Sequence, residues 1–440
     1  MVSIQPTQPA TAGLDAPAAV QDKARGAADA VSPYERPRRR PRIAAEAQGA
    51  FPAKQVAVRG TEVVQVIQTL KNDVRLIADK ATVVRVYLDT DAFSAPTTVT
   101  GELAWSRNAG GASFLAAMNR VSIDPGAPPS LEQQRFDLTQ SLNFLLPAQA
   151  IAAGQLTLRV NRIDAVDGQN LPLEPQSDET VTFVAAPPLR VKAIGLRYTS
   201  VRTKKIVTPQ AVHFEYLHSY LRRAYPVATV QWSQTVIDGD DLIPLPPPEK
   251  GFDPDQSNTT NIQLVAVRGS EVSAGTDPRT HYFGLVDDEH GDSFMRGSAY
   301  YDPRTGIFGQ VACGPCGVGN GFAGDTDASY ADWYGAHELG HTYQRRHPGF
   351  PTSPPGKKQP RDPLETTFPY PDGFISDPDQ RQVGFDIGDT ALGLEMRALP
   401  GNVYHDVMTY ADYQWLSAYT YQAIHERLIY EDSAFAPSVL

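Results

Sequence analysis

The sequence of 440 residues predicts an α+β fold, with an all-β, immunoglobulin-like sandwich over residues 52–187 followed by a mixed part over 190–440. Three observations predict it. Between 52 and 187, short segments rich in Val, Thr and Leu alternate apolar and polar residues with period two. From 190 onward, segments of that kind are interleaved with helical spacing. At 337–347, a helical stretch carries HELGHTYQRRH, three histidines and one glutamate. A chain of this length exceeds one ordinary domain and holds more than one core.

Residues 1–50 are rich in Ala, Pro, Gln and Asp and end in ERPRRRPRIAAEAQG. They lack a sustained apolar period and read as a disordered leader, because they bury too little apolar surface to offset the entropy of ordering. Arginines 36, 38, 39, 40 and 42 read as a solvated tail, with contact to an acidic surface as the alternative. The sandwich strands are VAVRGTEVVQVIQTL, DKATVVRVYLDTD, TTVTGELAWSR, QLTLRVNRID and ETVTFVAA, punctuated by Gly, Pro, Asn and Asp. APPLR, at 186–190, marks a boundary. A strand at RVKAIGLRY and a helix at QAVHFEYLHSYLRRAYP follow, the helix with Phe214, Leu217 and Leu221 on one face and Pro226 at its end. Next come ATVQWSQTV, the Pro-rich loop IPLPPPEKGFDPDQ, and predicted strands IQLVAVRG, HYFGLVD and GIFGQVACG. The last runs through a Gly-rich turn into the helix of His337, and WLSAYTYQAIHERLIYE is the closing helix.

Composition narrows the function. With 39 Lys+Arg against 50 Asp+Glu the net charge is −11, so there is no global basic field for nucleic acid or an anionic membrane. No apolar run reaches the 18 or so residues that span a bilayer. The N-terminus shows no charged region followed by an apolar one, so no secretory signal is visible. Two cysteines, Cys313 and Cys316, exclude a multi-disulfide scaffold.

On a helix, residues four apart share a face, so His337 and His341 offer two imidazole nitrogens to one ion. Glu338, beside the first, points toward a water on that ion. Zinc suits such a site: neutral imidazole ligates it well, and a catalytic centre keeps three protein ligands and one open position. Gly340 inside the motif weakens the helix by about 1 kcal/mol relative to Ala, which is tolerable if a neighbouring strand or loop approaches closely. A chance HExxH is expected in roughly one such chain in a hundred, so the continuation matters. His347 stands six residues after His341 and reaches the same ion if the chain turns sharply near residue 344.

The arrangement HELGHTYQRRH resembles H-E-x-x-H-x-x-G-x-x-H of the metzincin clan of zinc endopeptidases, with Gln344 where that pattern has Gly. The resemblance covers residues 190–440 and demands a methionine-containing turn beneath the metal. YHDVMTYADYQWL supplies it through Met408, with ordinary core filling as the weaker alternative. In branches resembling astacins and serralysins a tyrosine two residues later assists the oxyanion, a role the resemblance gives to Tyr410. It implies one catalytic zinc held by His337, His341 and His347, with Glu338 as general base and then proton shuttle. It further implies a bacterial-type, secreted monomer that hydrolyses protein or peptide substrates, and an irregular lower part matching the Pro-rich stretch 351–380.

Other constellations compete. CGPC is spelled like a thioredoxin active site, but it runs into GVGNGFAGD, which is no helix start, so a thiol-disulfide oxidoreductase is the weaker reading. A local disulfide or a pair of free thiols beside the cleft is the stronger one. DDEHGD at 287–292 lacks the spacing of a calcium loop and reads as a solvated acidic turn, leaving calcium unsupported. His405 is a substitute ligand should His347 fail, while His213 and His218 read as surface or packing residues. GQVACG at 309–314 is the candidate sheet edge for an extended peptide. A non-catalytic, zinc-stabilised binding or adhesion protein is the rival class; the intact Glu338 argues against it, since a purely structural site needs no base.

Overall fold

The computed structural model describes residues 55–107, 110–200, 203–239, 254–289, 295–319, 323–352 and 357–434. The leader with its arginine run, most of the Pro-rich loop after residue 239, and residues 290–292 of the acidic turn lie outside the described residues.

The first part comprises β1 (Val58–Val64), β2 (Val83–Leu88), β3 (Thr97–Arg107), β4 (Ser113–Ala116), α1 (Leu131–Phe136), β5 (Leu142–Leu145), β6 (Gly154–Ala165) and β7 (Glu179–Val184). One sheet runs β1-β2-β5 and a second β7-β6-β3-β4, with shorter strands added to the second. Alternation explains why they face each other. Val84, Val86, Leu142 and Phe144 of one sheet share a core with Val99, Leu103, Leu156, Leu158, Val160, Val181 and Phe183 of the other.

The second part comprises β8 (Leu189–Thr199), α2 (Ala211–Ala224), β9 (Val230–Asp238), α3 (Pro254–Ser273), β10 (His281–Asp287), β11 (Ser298–Asp302), β12 (Ile307–Cys316), α4 (Ala331–Thr342), β13 (Val383–Asp386), β14 (Arg397–Leu399) and α5 (Ala418–Ala434). Its main sheet runs β9-β8-β10-β12-β11; the first four are parallel and β11 is antiparallel. One face packs on α2, α4 and α5 through Val191, Ala193, Phe283, Leu285 and Ala312 against Phe214, Leu217, Leu339 and Ile424. The other face, through Ile194, Leu196, Tyr282 and Val311, packs on Leu264 of α3. The whole is a mixed α+β protein, mostly sheet, with five α-helices among the described residues.

Two expectations are corrected, and of the two readings of the cysteines the free thiols stand. Residues 262–269, expected as a strand, lie within α3. The face of α3 turned to the sheet is largely polar, with Gln256, Ser257, Thr260 and Asn261 buried beside Leu264, while Ile262 is 64% exposed. The apolar run therefore misreported which side is inside. Residues 309–314 are no sheet edge: β12 is flanked by β10 and β11, and the sheet ends at β11. Cys313 and Cys316 are free thiols. Three steps along a strand separate them by about 10 Å, beyond the roughly 7 Å a disulfide tolerates, and they enter cores on opposite faces of the sheet.

Candidate metal centre

The α4 helix places the first two histidines. Its middle is small and apolar (Gly335, Ala336, Leu339), which seats it against α2 and β12. His337 and His341 emerge on one side, 3% and 6% exposed. Gly340 permits a close approach from below: a β-carbon there would lie 2.4 Å from the Met408 sulfur. The neighbour anticipated for this glycine is thus the loop bearing Met408, itself 1% exposed.

After Thr342 the chain reverses. Gln344 takes a left-handed φ of +66°, its N–H donates to His341 O at 2.7 Å, and Arg345 N–H donates to Gly340 O at 3.0 Å. These are the two bonds of a Schellman motif, whose left-handed position is usually glycine. A non-glycine residue there is disfavoured by about 1 kcal/mol or more. The Gln344 side chain offsets this with two bonds of its own: Phe308 N–H donates to Oε1 at 3.1 Å and Nε2 donates to Phe308 O at 2.7 Å, each worth about 1 kcal/mol.

The reversal returns His347 to the helix. Its Nε2 lies 3.2 Å from His337 Nε2 and 3.0 Å from His341 Nε2. Among the described residues, this is the one group of three or more His, Cys, Asp or Glu whose ligand atoms gather within 4.8 Å. Neighbouring carbonyls orient two of the rings: His337 Nδ1 is 2.6 Å from Val407 O and His341 Nδ1 is 2.7 Å from Arg345 O. A proton on each Nδ1 leaves the Nε2 lone pairs of both rings aimed inward. Burial, followed by the neighbouring His341, draws His337 down to about 3. Burial draws His341 down to about 4 and holds His347 well below the usual histidine range. Two neutral imidazoles thus aim acceptor nitrogens at the Nε2 of a third, an arrangement that a cation satisfies. The separations also fit, since Zn–N bonds of 2.0–2.1 Å in a tetrahedron place nitrogens roughly 3.3 Å apart.

The chain around Met408 forms the floor. Asp406, fully buried, accepts from Met408 N at 2.8 Å and from Ser417 N at 3.1 Å, and Thr409 N donates to Asp406 O at 2.9 Å. That turn holds Val407 O under His337 and brings up Tyr410, whose ring stacks on His337 at 5.4 Å and tilts over His347 at 4.8 Å. Tyr410 is 37% exposed, and His347 is the partly exposed member of the triad. Burial, then Glu338, raises its phenol above the ordinary range.

Glu338 is 4% exposed, and burial raises its carboxyl well above the usual range. Gly297, just before β11, lies against it, and Gly297 N–H donates to Tyr334 Oη at 3.0 Å. Neither Gly297 nor Tyr334 was singled out by sequence. Tyr334 stands one helical turn before Glu338, a spacing that could have flagged it; nothing flags Gly297.

The other candidates lie apart. His405 stacks on Phe374 at 4.4 Å, with Nδ1 3.1 Å from Asp412 O. His213 is bound to Ser329 at 2.7 Å and His218 stacks on Trp232 at 4.8 Å, both packing roles. Burial holds both cysteine thiols well above the ordinary range, the reverse of an activated redox pair. Asp287 and Asp288 are 8% and 3% exposed, and Asp288 accepts from Tyr330 Oη at 2.7 Å. That part of the acidic stretch is therefore not solvated, because it closes the ends of β10 and β12 rather than facing water.

No family model matches the chain, and no curated protein matches it. Among solved structures, the seventh ScaB type I cohesin from Pseudobacteroides cellulosolvens is similar over 31% of this chain and 96% of its own, at 10% identity and a TM-score of 0.16. A likeness at that score carries no argument about fold or function. Among the described residues no helix is long and apolar enough to cross a membrane.

Proposed function

We propose that this protein is a zinc-dependent endopeptidase with a metzincin-like centre. The observation that carries the reading is the convergence of the His337, His341 and His347 Nε2 atoms, next in sequence to a buried Glu338 and with His347 partly exposed. His337, His341 and His347 would hold the ion. Bound zinc would acidify a water and polarise the scissile carbonyl. Glu338, whose buried carboxyl has a high proton affinity, takes a proton from the attacking water and delivers it to the leaving amine. Tyr410 donates its phenol hydrogen to the developing oxyanion. Val407 O and Arg345 O keep two rings in the productive tautomer. Met408, filling the space left by Gly340, sets the height of the floor. Protein or peptide is the substrate class, and monomeric, secreted action is the setting the resemblance implies.

The test is hydrolysis of a labelled unfolded protein by the zinc-loaded chain beside Glu338→Ala of equal zinc content. The expected result is cleavage by the parent and a loss of roughly 100- to 10,000-fold in the variant. Zinc bound by both with no cleavage by either would favour the non-catalytic binding protein instead.

A further inference from the structure

We infer that Gln344 is a positioning residue for the triad, its side-chain amide clamped across the Phe308 backbone to hold the turn that carries His347. The inference rests on the zinc reading above. An amide supplies a donor and an acceptor side by side, which is what one strand residue offers another. Here Oε1 accepts from Phe308 N–H at 3.1 Å and Nε2 donates to Phe308 O at 2.7 Å. Phe308 belongs to β12 and is paired across the sheet with Tyr301 of β11, so the anchor is a sheet rather than a loop.

From Phe308 the contacts return to the ligands by two routes. Its ring stacks on the His341 imidazole, with centroids 5.0 Å apart and planes 26° from parallel. The Arg346 guanidinium lies 5.4 Å from the same ring, and Arg346 reaches Asp362 Oδ2 at 3.4 Å and Gly306 O at 3.3 Å. Asp362 N–H donates to His347 O at 3.0 Å. Gln344 thus stands where two ligands, His341 and His347, are joined to one strand. Glycine at 344 would suit the left-handed backbone and supply none of this.

That opposition makes the test. Zinc affinity of the parent, Gln344→Gly and Gln344→Met is measured by competition with a chromophoric chelator, with thermal unfolding of each metal-free chain and visible spectra of each cobalt-loaded one. The expected result is a Kd for zinc raised about 10- to 100-fold in both variants, with a changed cobalt band and with Gln344→Gly unfolding near the parent temperature. Gln344→Met keeps the length of the side chain without the amide, so its loss separates the clamp from bulk. Zinc bound by Gln344→Gly as tightly as by the parent, with an unchanged cobalt band, would overturn the inference and leave the zinc reading standing. A parent that binds no zinc would overturn both.

Discussion

A β-carbon at position 297 would lie 2.1 Å from Glu338 Oε1 and 2.6 Å from its Cγ, contacts that no real side chain tolerates. Glu338 is the neighbour that must yield, because Gly297 is held from the other side by its N–H bond to Tyr334 Oη. On the proposed reading of Glu338 as general base, displacing it by an ångström lowers the rate on the order of 100-fold, so Gly297→Ala should keep its fold and bind zinc like the parent while kcat/KM falls at least about tenfold. Activity at the parental level with zinc retained would show that Glu338 does not work from this position. At this scale, legibility followed sequence distance. His337, Glu338 and His341 declare themselves because helical spacing alone brings them together. Gly297 and Phe308 do not, since they meet the site only when β11 and β12 fold beside α4. Gln344 was visible as a departure from the expected glycine, but the amide that offsets its backbone conformation needs Phe308, 36 residues away, to make sense.

Helix α4 begins in an acidic setting that gives it a pH dependence. Asp325 Oδ2 accepts from Trp333 Nε1 at 2.8 Å, and Asp332 sits in the first turn. Burial, opposed by the Trp333 bond and reinforced by Asp327, pushes Asp325 up to about 6; Asp327 and Asp332 are raised as well, again chiefly by burial. A carboxyl whose folded pKa exceeds its unfolded value near 3.8 binds more protons in the folded state. The stability it confers is full below about 4 and is lost as pH rises through about 6. Asp325→Asn should therefore match the parent near pH 4 and exceed it at pH 7, on the order of 1–2 kcal/mol after allowance for partial exposure. Urea unfolding at a series of pH values checks this, and parallel curves for the two chains from pH 4 to 7 would refute it. Elements were legible where one face is apolar, as in α2, whose Phe214, Leu217 and Leu221 are all at or below 3% exposure. Helix α3 was missed because its buried side is built of Gln256, Ser257, Thr260 and Asn261 instead of an apolar core face: Ser257 and Asn261 donate to the Arg296 and Ser298 carbonyls, and Thr260 packs against Gly284.

The two parts of the molecule are joined chiefly through residues 66–77 of the first, with Val83 against Phe385 and Arg135 on the Gln380 and Arg381 carbonyls beside them. The boundary near 186–190 is written in Pro residues, yet Val66, Ile67, Val74 and Ile77 of the first part belong to the core that lies under α2, α4 and α5. Ile67 and Gln68 pair with Gly384 and Val383 of β13, and Trp415 Nε1 donates to Val66 O at 2.9 Å. Sequence marks these four residues as buried without saying against what, so the dependence of one part on the other could not be read from it. Trp415 follows the turn that carries Met408 and Tyr410, so the floor of the candidate centre is braced from the sandwich side. Burying four aliphatic side chains contributes about 6 kcal/mol or more, comparable with the whole stability of an ordinary domain at 5–15 kcal/mol. A chain of residues 190–440 should accordingly lack a cooperative thermal transition and bind zinc far more weakly than the full chain, whereas the full chain unfolds in one transition that zinc shifts upward. Calorimetry of both with and without zinc decides it. A fragment that unfolds cooperatively and binds zinc with the full chain's affinity would mean that the part carrying the histidine triad stands alone and that the sandwich serves some other end.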